Sequence, residues 1–257
     1  ETDYYTIKLD DGTSDLSLEQ GLSQLEDQFI RIRRDVIEKR LPLNDEHRFI
    51  VCAFVGAMYG RTKASRERIR PFWNGILDKM DQWIQWSENA TEDQKRNAAT
   101  YFPIPSDHSN YVNYEEIKEI VDEPVKSMLV TYIDVTASLL MKVNLAIVCT
   151  STKPGFITSD DPCVWSDPES SKQNQYHRGH ALASPFIEIH LPISPHQCLL
   201  FNRRGDDGYI DLGKNGPLID ITTVNEANWR TRNQAQEFFV VNRNRVLAAW
   251  FDNTPNR

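Results

Sequence analysis

The sequence has no C-x-x-C pair, no apolar run long enough to cross a membrane and no excess of positive charge, and each absence removes a class of protein. Its four cysteines, Cys52, Cys149, Cys163 and Cys198, are widely spaced. That spacing excludes a disulfide scaffold and predicts reduced core thiols in a cytoplasmic protein. No stretch approaches the roughly 18 consecutive apolar residues of a spanning helix, and no basic start with an apolar middle opens the chain, so no membrane partner is expected. A net charge of −8 leaves no whole-protein positive field, and any nucleic-acid site has to be local. G-x-G-x-x-G, the Walker loop, the G-x-S-x-G elbow and the kinase set are missing too, which removes dinucleotide oxidoreductases, P-loop enzymes and the common serine hydrolases. There is no internal repeat and no low-complexity tract. The first residue is Glu1 rather than methionine, from which a missing N-terminal piece is expected.

What is present is 40% apolar residues, enough to fill the core of one domain over 1–257, helix-rich in 14–142 and strand-rich in 143–257. Residues 4–9 alternate weakly up to Asp11-Gly12, a short strand or extended arm. Leu18, Leu22, Leu25, Phe29, Ile32 and Val36 recur at steps of three and four and predict an amphipathic helix, with Ser17 and Gln20 as a capping box and Pro42 closing the far end. Asn44 caps a second helix, apolar nearly all round over 49–55, that leads into Gly60-Arg61. A third begins after Pro71, and its face of Trp73, Ile76, Leu77, Met80, Trp83 and Ile84 is expected to seal the core. Residues 100–113 form a loop by composition, and 114–141 one long helix.

After Val143 the texture changes to strands. Residues 145–150 and 156–159, joined by Lys153-Pro154-Gly155, read as a β-hairpin. A polar loop covers 166–184; 186–191 and 197–202 are strands about a turn at 192–195, and 205–208 is a further turn. A C-terminal helix is expected to start after Thr222 or Thr223, and 246–251 is a candidate last strand. Helices first and strands later predict an α+β fold, a helical half packed on a mostly antiparallel sheet.

The stretch that carries chemistry is Phe156-Ile157-Thr158-Ser159-Asp160-Asp161-Pro162, an apolar strand that stops on a hydroxyl, two carboxylates and a proline. Pro162 disfavours the helical region for Asp161, so both carboxylates lie on extended backbone, and alternation sends them to opposite sides. Asp160 suits a divalent cation, with Ser159 or Thr158 adding a hydroxyl, or general-base work. The competing reading is a turn shaped by its own side chains, the role expected of Asp161. Arg61 follows the most apolar helix, where a guanidinium needs a carboxylate or phosphate partner; if Asp160 is that partner, the pair is a structural lock.

His177 and His180 lie in a polar loop with no cysteine near enough to complete a zinc site, so a solvated loop is expected there. His190 reads as a core histidine, and His47, His108 and His196 as surface or turn residues. Two basic clusters, Arg61, Lys63, Arg66, Arg68 and Arg70, then Arg230, Arg232, Arg243 and Arg245, are anion faces or merely solvated and paired surfaces. Little aromatic interleaving favours nucleic-acid stacking.

On these residues the chain resembles the bacterial domain-of-unknown-function family 4238, whose members carry a T-S-D-N-P-V-like segment. Here it reads Thr158-Ser159-Asp160-Asp161-Pro162-Cys163-Val164, departing at the asparagine and by one extra residue before valine. Leu18-Glu19 and Leu25-Glu26, Arg61, Leu191-Pro192-x-Ser194-Pro195, and Asn228 followed by Ala235-x-x-Phe238 look like further family positions, in order over most of the chain. The resemblance implies a His-Tyr-x-Pro segment ahead of Tyr4-Tyr5-Thr6, with a histidine to act beside Asp160; the sequence opens after it. It implies no activity, and the family's asparagine singles out Asp160 over Asp161.

Two functional readings follow, and a third, direct nucleic-acid binding, requires the two arginine clusters to share one face. In the first the protein is a hydrolase acting on a phosphate-containing substrate, a nucleotide or nucleic acid, with Asp160 as general base or ligand of a divalent cation, Arg61 holding the anion, and Ser159 and Asn228 contacting substrate. In the second it is a noncatalytic ligand-sensing or protein-interaction module in which Arg61, Asp160 and Asn228 form a buried polar lock. An open cleft with unfilled polar groups separates the first from the second, which requires a closed and paired cluster.

Overall fold

The stripe of the first third forms helix α1, Ser17–Ile32, which buries Leu18, Leu22, Phe29 and Ile32 and passes into a π-helical turn, Arg33–Ile37, that buries Val36 and Ile37. The computed structural model describes residues 7–8, 14–101, 113–167, 169 and 184–242. Two short strands, β1 (Ile7–Lys8) and β2 (Ser14–Asp15), pair ahead of α1. The expected Ser17–Gln20 capping box is not made, because Asp15 Oδ1, a charged acceptor two residues upstream, takes the Ser17 N–H at 2.8 Å.

Asn44 caps α2, Asp45–Gly60, as expected, its side chain accepting the His47 N–H at 2.8 Å. Apolar almost throughout, α2 becomes the central helix and lies against α6, Pro124–Leu140. Gly56 and Gly60 permit that approach: a Cβ at Gly60 would meet Leu129 Cδ1 at 2.8 Å. The single long helix expected over 114–141 is instead two, α5 (Tyr114–Asp122) and α6. Pro124 forces the break, leaving Glu123 at φ −133° and ψ 63°, outside the helical region.

Helix α3, Lys63–Asn89, starts eight residues ahead of Pro71 instead of after it, with Thr62 as N-cap, its hydroxyl accepting the Ser65 N–H at 3.0 Å. Pro71 sits inside the helix; a proline removes one ladder hydrogen bond, and a strong cap with good helix formers on both sides outweighs it here. The expected aromatic seal is not made. Of the predicted face Trp73, Ile76, Leu77 and Met80 lie half-buried and Trp83 and Ile84 exposed; only Ala64 and Ser65 of α3 are buried, and Phe72 and Trp86, outside that face, stand exposed as well. Its far end runs alongside α5, where the Tyr114 hydroxyl donates to Asp81 at 2.8 Å, and α4 (Glu92–Tyr101) follows.

The second half builds a five-stranded sheet in the order β5 (Val164–Ser166), β6 (Glu188–Ser194), β7 (Gln197–Asn202), β3 (Asn144–Cys149), β8 (Gly208–Asp211). All pairs are antiparallel except β3 with β8. The protein is therefore α+β, as the order of periodicities predicts. Strand alternation splits the core: Leu145, Ile147, Leu199 and Phe201 meet the helices α1, α2 and α6, whereas Val148 and Cys198 meet Phe156, Leu212 and Val224 on the opposite face. That second face is covered by α7, Pro217–Gln234, which begins at Pro217, ahead of the predicted start at Thr222 or Thr223.

The hairpin predicted for 145–159 does not exist. Both edges of β3 are taken, by β7 and β8, and Gly155, at φ 84°, turns the chain beneath the β6–β7 corner, where the Phe156 N–H donates to Pro195 O at 2.9 Å. Residues Thr158–Ser159 form β4 and pair with β9, Phe239–Val240. The β6–β7 turn is also tighter than predicted, because β6 carries Pro192 through an irregularity between Pro192 and Ser194 and continues to Ser194. The loop at 102–112, the body of the 166–184 loop, and the strand at 246–251 lie outside the described residues.

Candidate functional site

The segment from Gly155 to Cys163 is stitched along one side of α7 and the chain that follows it. Asn228, itself buried, accepts the Ile157 N–H at 3.0 Å and donates to Gly155 O at 2.8 Å. Six residues on, the Gln234 amide donates to Asp161 O at 3.2 Å and Cys163 O at 2.8 Å. The Asp160 carboxylate accepts the N–H of Gln236 at 3.1 Å and of Glu237 at 3.0 Å, one on each oxygen, and the Asp160 N–H donates to Phe238 O at 3.3 Å.

Asp161 points the other way, as alternation requires, and is fully buried. Its N–H donates to the Ser159 hydroxyl at 3.2 Å. Arg68 Nη1 reaches one carboxylate oxygen at 2.7 Å, and the Thr62 hydroxyl, shared with the Tyr59 carbonyl, lies 3.2 Å from the other. Because Thr62 caps α3, the Asp161 carboxylate occupies the place at that helix's N-terminus where an external anion would otherwise be favoured.

Arg68, 39% exposed at its side chain, lies over the Tyr59 ring at 4.7 Å, and Tyr59 stacks in turn on Trp165 at 4.4 Å and Tyr132 at 5.8 Å. Burial works against the guanidinium, but the Asp161 hydrogen bond and the neighbouring charges raise its pKa above the ordinary arginine value. Burial also pushes the Tyr59 phenol up, against the pull of Arg68, and the Cys163 thiol up to about 12, so this sulfur is an inert core group.

The predicted site residues are thus divided between two arrangements. Ser159, Asp160 and Asn228 belong to the same seam without touching one another, Asn228 on Gly155 and Ile157 and Asp160 on the chain after α7, but Arg61 does not join them. It closes α2, pairs with Glu26 of α1 and donates to Met58 Sδ at 3.0 Å. The chain turns into α3 immediately after Arg61, and Arg68, nearly two turns along that helix, is the residue brought back to the segment. The proposed Arg61–Asp160 lock is corrected to Arg68–Asp161. Arg68 stood in the predicted basic cluster; Thr62, Tyr59, Trp165 and Gln234 were missed, and only the N-cap signal of Thr62 is readable in sequence.

Among the described residues, no three His, Cys, Asp or Glu side chains converge on one point, so Asp160 gathers no companions for a divalent cation. His177, His180 and His108 lie outside the described residues. His190 is buried with Nε2 3.1 Å from Thr231 Oγ1; that hydroxyl donates to Ala227 O, so it accepts from the ring, and burial together with Arg230 pushes the imidazole pKa down to about 3. Arg61, Lys63 and Arg68 of the first basic cluster, and Arg230 of the second, are each paired with a carboxylate; Arg243 and Arg245 lie outside the described residues. No described helix is long and apolar enough to cross a membrane.

The profile of one family, described as "Protein of unknown function (DUF4238)", matches residues 1–245. No curated protein and no solved structure matches the chain.

Proposed function

The chain belongs to the DUF4238 family, and from the geometry above we propose that it acts by binding: a noncatalytic protein-interaction module whose Thr158–Pro162 segment is a tertiary clasp. The observation that carries this reading is the closure of both carboxylates. Asp161 is fully buried on Arg68 and Thr62, and each oxygen of Asp160 holds a backbone N–H. A metal ion or a substrate proton would compete with contacts that hold α3 and α7 to the sheet. The aromatic side chains that α3 leaves at the surface supply the interaction face. The bacterial and cytoplasmic setting is part of the same proposal, supported by the family resemblance and by four free, buried cysteines.

The test compares the parent with Asp160→Asn against a panel of nucleotides and phosphodiesters in the presence of Mg²⁺ or Mn²⁺. The expected result is no metal-dependent turnover that the substitution abolishes. Turnover that disappears in Asp160→Asn while the melting temperature holds would overturn the reading. It would restore the hydrolase acting on a phosphate-containing substrate, with Asp160 as base or ligand.

A further inference from the structure

The exposed side of α3 has a pattern of its own. Ile69, Phe72, Ile76, Lys79, Trp83 and Trp86 follow one another at steps of three and four, a 3.5-residue seam of the kind that pairs helices. Phe72 is 64% exposed, Trp83 71% and Trp86 46%, while Ile69 and Ile76 lie half-buried at the seam's inner edge. Charge is sorted about this seam. At 3.6 residues per turn the four acids of α3, Glu67, Asp78, Asp81 and Glu88, fall on the opposite half of the helix, and Asp81 accepts from Tyr114 of α5 there. The charges on or beside the seam are both cationic: Arg68 at its base, and Lys79, exposed and without an ion-pair partner among the described residues, at its centre.

We propose that this face docks an acidic amphipathic helix of a partner protein, with apolar side chains against Phe72, Trp83 and Trp86 and a carboxylate opposite Lys79. The proposal rests on the interaction-module reading and names the partner's chemistry. Charge complementarity selects this occupant. Pairing with a second copy of α3 in register brings two Lys79 ammonium groups together, which disfavours self-association. An anionic membrane presents a broad field of negative charge, which a chain of net charge −8 opposes, whereas a helix can set one carboxylate against Lys79, the seam's cation unpaired among the described residues, and turn its other charges away from the chain. A helix with a carboxylate at the matching seam position neutralises Lys79 and covers the aromatics, the usual mode of helix recognition.

The test titrates the full chain, by its tryptophan fluorescence, with a tryptophan-free synthetic peptide carrying leucines at seam spacing and glutamates beside them. Controls are the same peptide with lysine for glutamate, a scrambled acidic peptide, and vesicles of phosphatidylserine and phosphatidylcholine. The acidic amphipathic peptide is expected to bind at least tenfold more tightly than the lysine version. Lys79→Glu should reverse that order, and Phe72→Ser with Trp86→Ser should abolish binding while lowering the melting temperature by no more than a few degrees. Equal binding of the scrambled peptide, preference for the vesicles, or no binding of any peptide overturns the proposal. Binding of the lysine version at Phe72 and Trp86 overturns only the acidic chemistry and leaves the interaction reading standing. Absence of all peptide binding together with turnover dependent on Asp160 removes both.

Discussion

At its first turn α3 buries Ala64 and Ser65 beside a carboxylate that is itself fully buried, whereas farther along the same helix holds Phe72, Trp83 and Trp86 at 64%, 71% and 46% exposure. The base is fixed by a paired charge, a helix cap and a ring stack that converge from α2, α3, β5 and the segment after β4. The distal part meets chiefly α5. Most helix stability in proteins comes from tertiary packing, so the two ends differ in what a substitution can break. Stability collects at the base, and the distal face is left to vary without endangering the fold.

The largest effect is expected where a buried charge loses its counterion. Arg68→Ala strands the Asp161 carboxylate among Thr62 and backbone groups; breaking a buried pair from one side costs about 3–5 kcal/mol, and the partial exposure of Arg68 places this case at about 3. Asp161→Asn leaves a guanidinium that can turn to water and should cost only about 1–2 kcal/mol. Denaturant titration of the two variants measures the asymmetry. Equal losses would mean that the pair is a surface bridge and that the base of α3 is no more strongly held than its far end.

That pair also marks where sequence reasoning stops. Local signals were enough for α1, for the Asn44 cap and for the strands of the β6–β7 pair, because each depends on neighbours in the chain. Alternation likewise separated Asp160 from Asp161. Which of them faces the core is decided by Arg68, 93 positions away, and no periodicity reports that distance. The false hairpin has the same origin, since the partners of β3 begin at Gln197 and Gly208 and leave no edge for residues 156–159. The aromatic seal failed for a different reason. An apolar stripe predicts a buried face, but it does not say whether the cover belongs to the same chain.

Acid should divide the molecule next. His190 links β6 to α7 through Thr231, and its pKa in the fold is about 3 against an ordinary value of 6.5. The unfolded chain therefore takes up a proton that the folded chain refuses, so this contribution is complete above pH 6.5 and is lost as pH falls towards 3. The slope is at most about 1.4 kcal/mol per pH unit. Denaturant titrations between pH 7 and pH 4.5 should show a steeper acid loss in the parent than in His190→Gln. Parallel curves would move the acid sensitivity away from the α7 side of the sheet.

The smallest effect is expected at the distal face of α3, and its smallness is the informative part. Phe72→Ser removes a side chain that is largely in water and should change stability by no more than about 0.5 kcal/mol, whereas Trp86→Ser removes one that is about half buried and should cost somewhat more, about 1 kcal/mol. For Phe72→Ser loss of helix propensity is the main cost, a few tenths of a kcal/mol at most for serine in place of an aromatic. Set beside about 3 kcal/mol for Arg68→Ala, a change this small would show that the aromatics contribute little to folding. Losses above about 2 kcal/mol would mean instead that the aromatics are packed within the chain. In that case α3 would be a structural strut along its whole length, the contrast between its ends would vanish, and the seam would have no partner left to seek.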